Sequence, residues 1–251
     1  MSIDQRAVSD LVGFILSFSL ILLSVSIVYT GGFAALTDQQ QAEQLHNTER
    51  AMSVLAENFH DIEQGNAPTR AGEFQLSGGT LSLNRSTRFT VSVGHDNGTQ
   101  PETVRTGSLS YTHEGTKISY ENGAVLRTDN EYGYITREPT VICRDDRAVV
   151  SLVEIDPRGN LTSVSTDGTV LVTVEKQDSR LYYPTRENNT VVNEAEAAHN
   201  VTIRVEESPH KDAWENWFAD RTGWTQTTNG YTCEADTVFV RTTKVTVRLL
   251  R

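Results

Sequence analysis

The sequence predicts an α+β protein: a long N-terminal transmembrane and amphipathic helix, followed by a mainly antiparallel, β-sandwich-like head with one short helix. Three observations carry this. No charged side chain occurs from Leu11 to Leu36, the next residues repeat apolar positions with a helical period, and the remainder alternates short β-type runs with Gly-, Asn- and Asp-rich turns.

The uncharged stretch comes first. Its twenty-six residues at 1.5 Å rise make a rod of roughly 39 Å, longer than the ~30 Å hydrocarbon core of a bilayer. Membrane lipid is therefore the first expected partner. A secretory signal has an apolar region of about 7 to 15 residues behind a basic leader. Here the leader Met1–Arg6 has Arg6 as its one basic residue and the apolar run is about twice too long, although Gly31-Gly32 and Ala34-Ala35 offer a small-residue site of the kind signal peptidases cut. Retention of the helix is the expectation. Arg6 precedes the span, whereas Asp38 and Glu43 are the first charges after it, which orients the N-terminus inside and the head outside. Gly13, Ser17, Ser24 and Gly31 fall within about 40° on one helix face, a pattern that lets neighbouring helices approach closely in lipid. Tolerated isolated small residues would look the same.

From Asp38 to Gln64 the apolar residues Leu45, Met52, Leu55, Phe59 and Ile62 occupy an arc of about 100°, which predicts that the helix continues and seats an apolar stripe on its own head. Gly65, Pro68 and Gly72 end it. The expected organisation is a leader over 1–6, a long helix over 7–66 (span 11–36, amphipathic 38–64), and a β-rich head over 72–251.

Within the head, Phe74–Leu76 and Thr80–Leu83 flank Gly78-Gly79 as a hairpin would, and Phe89–Val93 alternates with period two before a turn at His95–Gly98. Further strands are predicted over Leu109–Thr112, Lys117–Tyr120, Ala124–Arg127, Thr140–Cys143, Ala148–Ile155, Thr169–Lys176, Asn200–Glu206, Thr237–Arg241 and Lys244–Leu250. One helix, Ser208–Asp220, interrupts them, with Ser208 as cap and Pro209 in first position. Its Trp214, Trp217 and Phe218 are expected to cover a sheet face or edge.

Charge excludes one class of partner. Lys and Arg number 22 against 33 Asp and Glu, a net charge of -11, and phosphate backbones need clustered positive charge, so nucleic acid is not expected. An acidic surface with Lys only at Lys117, Lys176, Lys211 and Lys244 suits a halophilic protein, whose carboxylate repulsion is screened by salt; an ordinary acidic secreted domain has the same composition. Cys143 and Cys233 stand ninety positions apart, fit no zinc or thioredoxin-type spacing, and are either a disulfide or two buried thiols. Asn84, Asn97, Asn160, Asn188 and Asn200 each open an N-x-S/T sequon, which makes them candidate N-glycosylation acceptors if the head is exported.

Catalytic chemistry has no local signal. The histidines at 46, 60, 95, 113, 199 and 210 form no metal-binding spacing, and there is no nucleophile elbow, phosphate loop or dinucleotide fingerprint. The acidic pairs Asp145-Asp146 and Glu206-Glu207 read as solvated surface. No metal, no cofactor and no enzyme activity are expected.

The residues Arg6-Ala7-Val8-Ser9-Asp10-Leu11-Val12-Gly13, running into Phe14-Ile15-Leu16, resemble the N-terminus of haloarchaeal type IV pilins, which read Arg-Ala-Val-Ser-Pro-Val-Ile-Gly before a long apolar helix. The resemblance covers about thirty residues. Ile118-Ser119-Tyr120-Glu121-Asn122-Gly123-Ala124-Val125 and Arg137-Glu138-Pro139 look like segments of haloarchaeal pilin-like secreted proteins, which bring no activity with them. The resemblance implies cleavage between Arg6 and Ala7 by a prepilin-peptidase-like enzyme on the cytoplasmic side, with the helix retained and packed against other pilin-like subunits. Arg6, Ala7, Val8, Ser9, Asp10 and Gly13 would be its motif residues. Asp10 departs from the family's Pro, which bears on filament assembly more than on insertion. The function implied is a membrane-anchored, surface-exposed structural or interaction protein, a major or minor subunit of a pilus-like filament. A signal-anchored binding module that never polymerises and an exported hydrolase with a non-local site are the rivals.

Overall fold

The computed structural model describes residues 5–95, 98–130, 132–144, 146–184, 186–187, 190–191 and 198–251, with the backbone alone for 5–10, 34, 38, 100, 186–187 and 190–191. The chain falls into two compact units, Met1–Asn47 and Thr48–Arg251. One helix, α1 (Gln5–Gln64), makes up the described part of the first and opens the second.

In the second unit the predicted stripe is buried: Met52, Leu55, Phe59 and Ile62 are at most 1% exposed. Phe59 stacks on Tyr120 with ring centroids 4.1 Å apart. Leu55 lies so close to Gly72 that a Cβ there would stand 2.8 Å from its Cδ2. Charged residues flank the stripe and pair with the sheets, Asp61 with Arg70 at 2.9 Å and the buried Glu63 with Arg241 at 2.7 Å. The helix ends in a Schellman arrangement, in which the Gly65 N–H donates to Ile62 O and the Asn66 N–H to Asp61 O, with Gly65 at φ +83°. Since that φ suits only glycine without strain, Gly65→Ala is expected to cost about 1 kcal/mol of unfolding free energy, read from a denaturant midpoint. A smaller effect than a few tenths would show that the cap is not needed.

Three sheets build the head. Sheet A has the order β1 (Thr69–Leu76), β12 (Gly168–Tyr183), β18 (Thr237–Leu250), β10 (Arg147–Pro157), β9 (Val141–Arg144). Sheet B runs β11 (Ser163–Val164), β2 (Thr80–Asn84), β5 (Ser108–His113), β6 (Thr116–Glu121), β7 (Ala124–Asp129), β8 (Tyr132–Arg137). Sheet C runs β16 (Trp224–Thr227), β17 (Gly230–Glu234), β15 (Ala198–Glu207), β3 (Arg88–His95), β4 (Gly98–Arg105). A two-residue ladder joins β13 (Arg186–Glu187) to β14 (Thr190–Val191). Pairing is antiparallel except between β10 and β18, which run parallel with Ala148 opposite Val238 and Ile155 opposite Val245. A hydrophobic core brings residues of sheets A and C together with Ala124 and Leu126 of sheet B and with Trp214 and Phe218 of α2 (Lys211–Ala219).

The α+β class with a long apolar helix, an antiparallel β-rich head and one short helix is the observed architecture. Four local expectations change. β1 and β2 are not a hairpin: Gly78 and Gly79, at φ +75° and +71°, carry the chain out of sheet A into sheet B, where β2 pairs with β5. The two C-terminal strands are one, β18, because Thr243 is fully buried between β10 and β12 rather than lying in a turn. β12 continues past Lys176 to Tyr183 through a register shift at Lys176/Asp178. The short helix begins at Lys211 with His210 as its N-cap residue; Ser208 stands before it, its Oγ accepting the His210 N–H at 2.9 Å and donating to the buried Glu121 carboxylate.

Candidate functional site

Among the described residues one helix is long and apolar enough to cross a membrane. Starting at Leu11, it holds an 18-residue window of mean hydropathy 2.6, none of it buried in protein. Its hydroxyls return to the helix: Ser24 Oγ donates to Ile21 O at 2.8 Å, Ser26 to Leu22 O at 2.8 Å, and Thr30 to Ser26 O at 2.9 Å. No donor of these three is left to face hydrocarbon, where an unsatisfied polar group costs several kcal/mol. The helix is compatible with a membrane anchor. Gly13, Ser17, Ser24 and Gly31 share one exposed face, and nothing beyond the adjoining helix backbone lies within 4 Å of where a Cβ on Gly13 or Gly31 would stand. The backbone is helical through Arg6, Ala7, Val8, Ser9 and Asp10, whose side chains lie outside the described residues, as do Met1–Asp4 altogether.

A second concentration of polar chemistry is buried in the head, where α2 meets sheets B and C. Glu121, at the end of β6, is 0% exposed. Its Oε2 accepts from Ser208 Oγ at 2.7 Å and from Trp214 Nε1 at 3.1 Å. Thr87 stands close enough to favour the charged form. Its Oγ1 and Glu121 Oε1 nevertheless miss hydrogen-bond geometry, and both are unsatisfied. Removal from water dominates and pushes the Glu121 carboxyl up to about 7. Beside it, His210 Nε2 meets Ser119 Oγ at 2.8 Å and Nδ1 meets Thr128 Oγ1 at 2.6 Å. Burial, with a smaller push from the Lys117 ammonium, lowers its pKa to about 4. The ring is therefore neutral at pH 7, one nitrogen donating and the other accepting. Ser119 and His210 have the spacing of a nucleophile and its base, yet they are 0% and 3% exposed. The arrangement pins α2 to the sheet and offers no reacting atom to solvent.

Nearby, an open groove of about 980 Å3 is lined by Glu138, Ile142, Arg144, Trp217, Arg221 and Trp224, among others. Arg221 lies over the Trp217 ring at 5.0 Å and pairs with Glu138. The floor includes Cys143, which is disulfide-bonded to Cys233 with Cα atoms 6.0 Å apart. The bond joins β9 of sheet A to β17 of sheet C.

The remaining predicted residues scatter. Asn84 and Asn160 are exposed, Asn200 is half-buried within sheet C, and Asn97 and Asn188 lie outside the described residues. Asp146 sits in the β9–β10 turn at φ +60°, while Asp145 is not described. Glu207 pairs with Arg88 and Glu206 lies 3.9 Å from Arg204, as solvated surface charges do. Among the described residues no group of three His, Cys, Asp or Glu is placed to hold a metal ion. Sequence reasoning passed over Glu121, which stands beside the turn residues Asn122-Gly123 and so reads as exposed; its partners arrive from eighty-seven positions away.

No solved structure matches this chain. An uncharacterized protein of Archaeoglobus fulgidus is 25% identical over 106 residues, 42% of this chain and 35% of that protein. The chain thus spans about a third of that relative's length. A family described as of unknown function, DUF7289, matches over residues 6–248. That match takes in both the apolar helix and nearly all of the β-rich head, and the chain belongs to this DUF7289 family.

Proposed function

We propose that the protein is a membrane-anchored, pilin-like structural or interaction protein of the archaeal cell surface, a major or minor subunit of a type IV pilus-like filament. The helix from Leu11 spans the bilayer with its N-terminus inside, and the head stands outside. The observation that carries this is the apolar helix, wholly exposed over its most hydrophobic window, in a chain whose head packs a hydrophobic core of its own. Lipid, or a bundle of like helices, is the cover that such a surface needs. The Arg6–Asp10 resemblance supports processing before Ala7 by a prepilin-peptidase-like enzyme, and the face of Gly13, Ser17, Ser24 and Gly31 supports helix–helix packing. An acidic exterior, with a net charge of -11, supports work in concentrated salt. We assign no catalytic role, because the nucleophile-like Ser119–His210 contact is sealed in the core.

A non-polymerising anchored binding module is favoured by one observation, the open groove beside the disulfide. Two measurements on the full chain separate the readings. The protein is expected to stay in the membrane pellet through alkaline carbonate extraction, and its mature mass is expected to begin at Ala7. A start at Met1 with membrane retention favours the anchored module, and a soluble product beginning after Ala35 overturns the anchor itself. Surface filaments containing this chain are the expected result for the pilin-like reading.

A further inference from the structure

We propose that Asn84 and Asn160 are a paired N-glycosylation site forming one sugar-bearing corner of the head, and that Asn200 is not an acceptor. This rests on the head being outside the cell. The two sequons are seventy-six positions apart in sequence, yet the fold ties them together. β2 pairs with β11, Leu81 opposite Val164 and Ser82 opposite Ser163. The ladder extends one bond further, the Leu83 N–H donating to Thr162 O at 2.8 Å. The carbonyl of the Asn160 sequon's own hydroxyl residue thus touches the strand that ends in Asn84. On the other side Arg85, the middle residue of the first sequon, donates to Asp156 and sits 3.4 Å from Pro157 O, at the start of the loop that carries Asn160.

Accessibility separates these sequons from the third. Asn84, Arg85 and Ser86 are all exposed, and so are Asn160, Leu161 and Thr162. Asn84 is the terminal residue of β2, opposite Ser108, with Arg85 and Ser86 beyond the strand, and Asn160 to Thr162 lie in the connection between β10 and β11. A transferase must reach the amide and the hydroxyl two residues on, which an irregular exposed segment allows and a central strand does not. Asn200 lies in β15, an inner strand of sheet C paired to both β17 and β3. Its side chain rests on Gly94, where an added Cβ would stand 2.5 Å from Asn200 Oδ1. Its sequon's Thr202 is held at 2.8 Å by Thr232 Oγ1, and the intervening Val201 is fully buried.

The chemistry is transfer of a saccharide from a lipid-linked sugar phosphate donor. The Asn side-chain nitrogen bonds to the anomeric carbon as the bond from that carbon to the phosphate oxygen breaks. The lipid phosphate leaves as the anion, and the amide proton goes to the transferase base. Two glycans here crowd β11, a two-residue edge of sheet B, and cover an open strand edge that would otherwise pair with another chain. They also keep this corner out of any contact between copies.

The test is glycopeptide mass spectrometry on the full chain extracted from archaeal membranes, with membrane-impermeant lysine labelling of intact cells in parallel. The expected result is a saccharide mass on the Asn84 and Asn160 peptides, none on the Asn200 peptide, and labelling of Lys117, Lys211 or Lys244 before lysis. Ser86→Ala and Thr162→Ala are each expected to remove one of the two glycans completely while leaving the acceptor in place, and Ser86→Thr to retain it. Bare Asn84 and Asn160 in a head labelled from outside overturn this proposal alone, and so does sugar on Asn200. A head labelled only after lysis overturns the topology along with it.

Discussion

Replacing Cys143 and Cys233 together by Ser is expected to lower the unfolding free energy of the full chain by about 4–5 kcal/mol. The bond joins residues ninety positions apart, and restricting so long a loop in the unfolded chain is worth about that much by chain entropy. The same bond ties an edge strand of sheet A to sheet C, so its loss also frees the groove that Trp217 and Trp224 border. All three tryptophans, at 214, 217 and 224, lie in this part of the head, which makes their fluorescence a direct probe of denaturant unfolding. The expected signature is a lower midpoint with a steeper slope, since the uncrosslinked unfolded chain exposes more surface. An unchanged midpoint would show that the bond constrains nothing the fold does not already hold.

The next largest effect is a pair of opposed pH dependences centred on α2. Burial raises the Glu121 carboxyl from its ordinary 4.5 to about 7 in the fold. Its contribution is therefore whole below pH 4.5 and is lost as pH rises through 7. His210 titrates at about 4 folded against 6.5, so its contribution is whole above pH 6.5 and is lost as pH falls through 4. Each shift corresponds to about 3 kcal/mol. Between pH 4.5 and 6.5 the two slopes have opposite sign and cancel. Glu121→Gln removes the carboxyl arm, and stability relative to the parent protein is expected to slope upward between pH 4.5 and about 7. His210→Gln removes the histidine arm, and the relative slope is expected to turn downward between about pH 4 and 6.5. Differences against the parent protein remove every other titrating group from the comparison. If both variants track the parent curve at constant offset, the burial of these two groups does not control its pH dependence.

What the sequence discloses and what it hides divide along the range of the interactions. The periodicity of Met52, Leu55, Phe59 and Ile62 is a local fact, and these residues are buried as that period requires. The same holds for Phe89, Val91 and Val93, whose alternation is kept in β3. Pairing is not local. Gly78-Gly79 between two β-type runs reads as a tight turn, but which sheet each run joins is decided by β12 and β5, far along the chain. β4 escaped notice because its residues are mostly polar with Pro101 among them, a pattern tolerated on a sheet edge, where that strand lies. Arg241-Thr242-Thr243-Lys244 looks like an interruption; in the fold Arg241 reaches Glu63 and Lys244 reaches Glu154, so the strand passes through. Of the candidate site, the long apolar helix was legible from composition. The Glu121 cluster was not, because a lone Glu beside Asn-Gly carries no sign of the tryptophan and serine that will bury it.

The parallel ladder between β10 and β18 sets an order of events for biogenesis. β18 follows the other described strands in sequence, yet it takes an interior place in sheet A, between β12 and β10. Until it arrives, those two strands have no common neighbour and their facing edges stay unsatisfied. Sheet A can therefore close only once β18 is in place, a late joining of distant segments rather than growth from the N-terminal end.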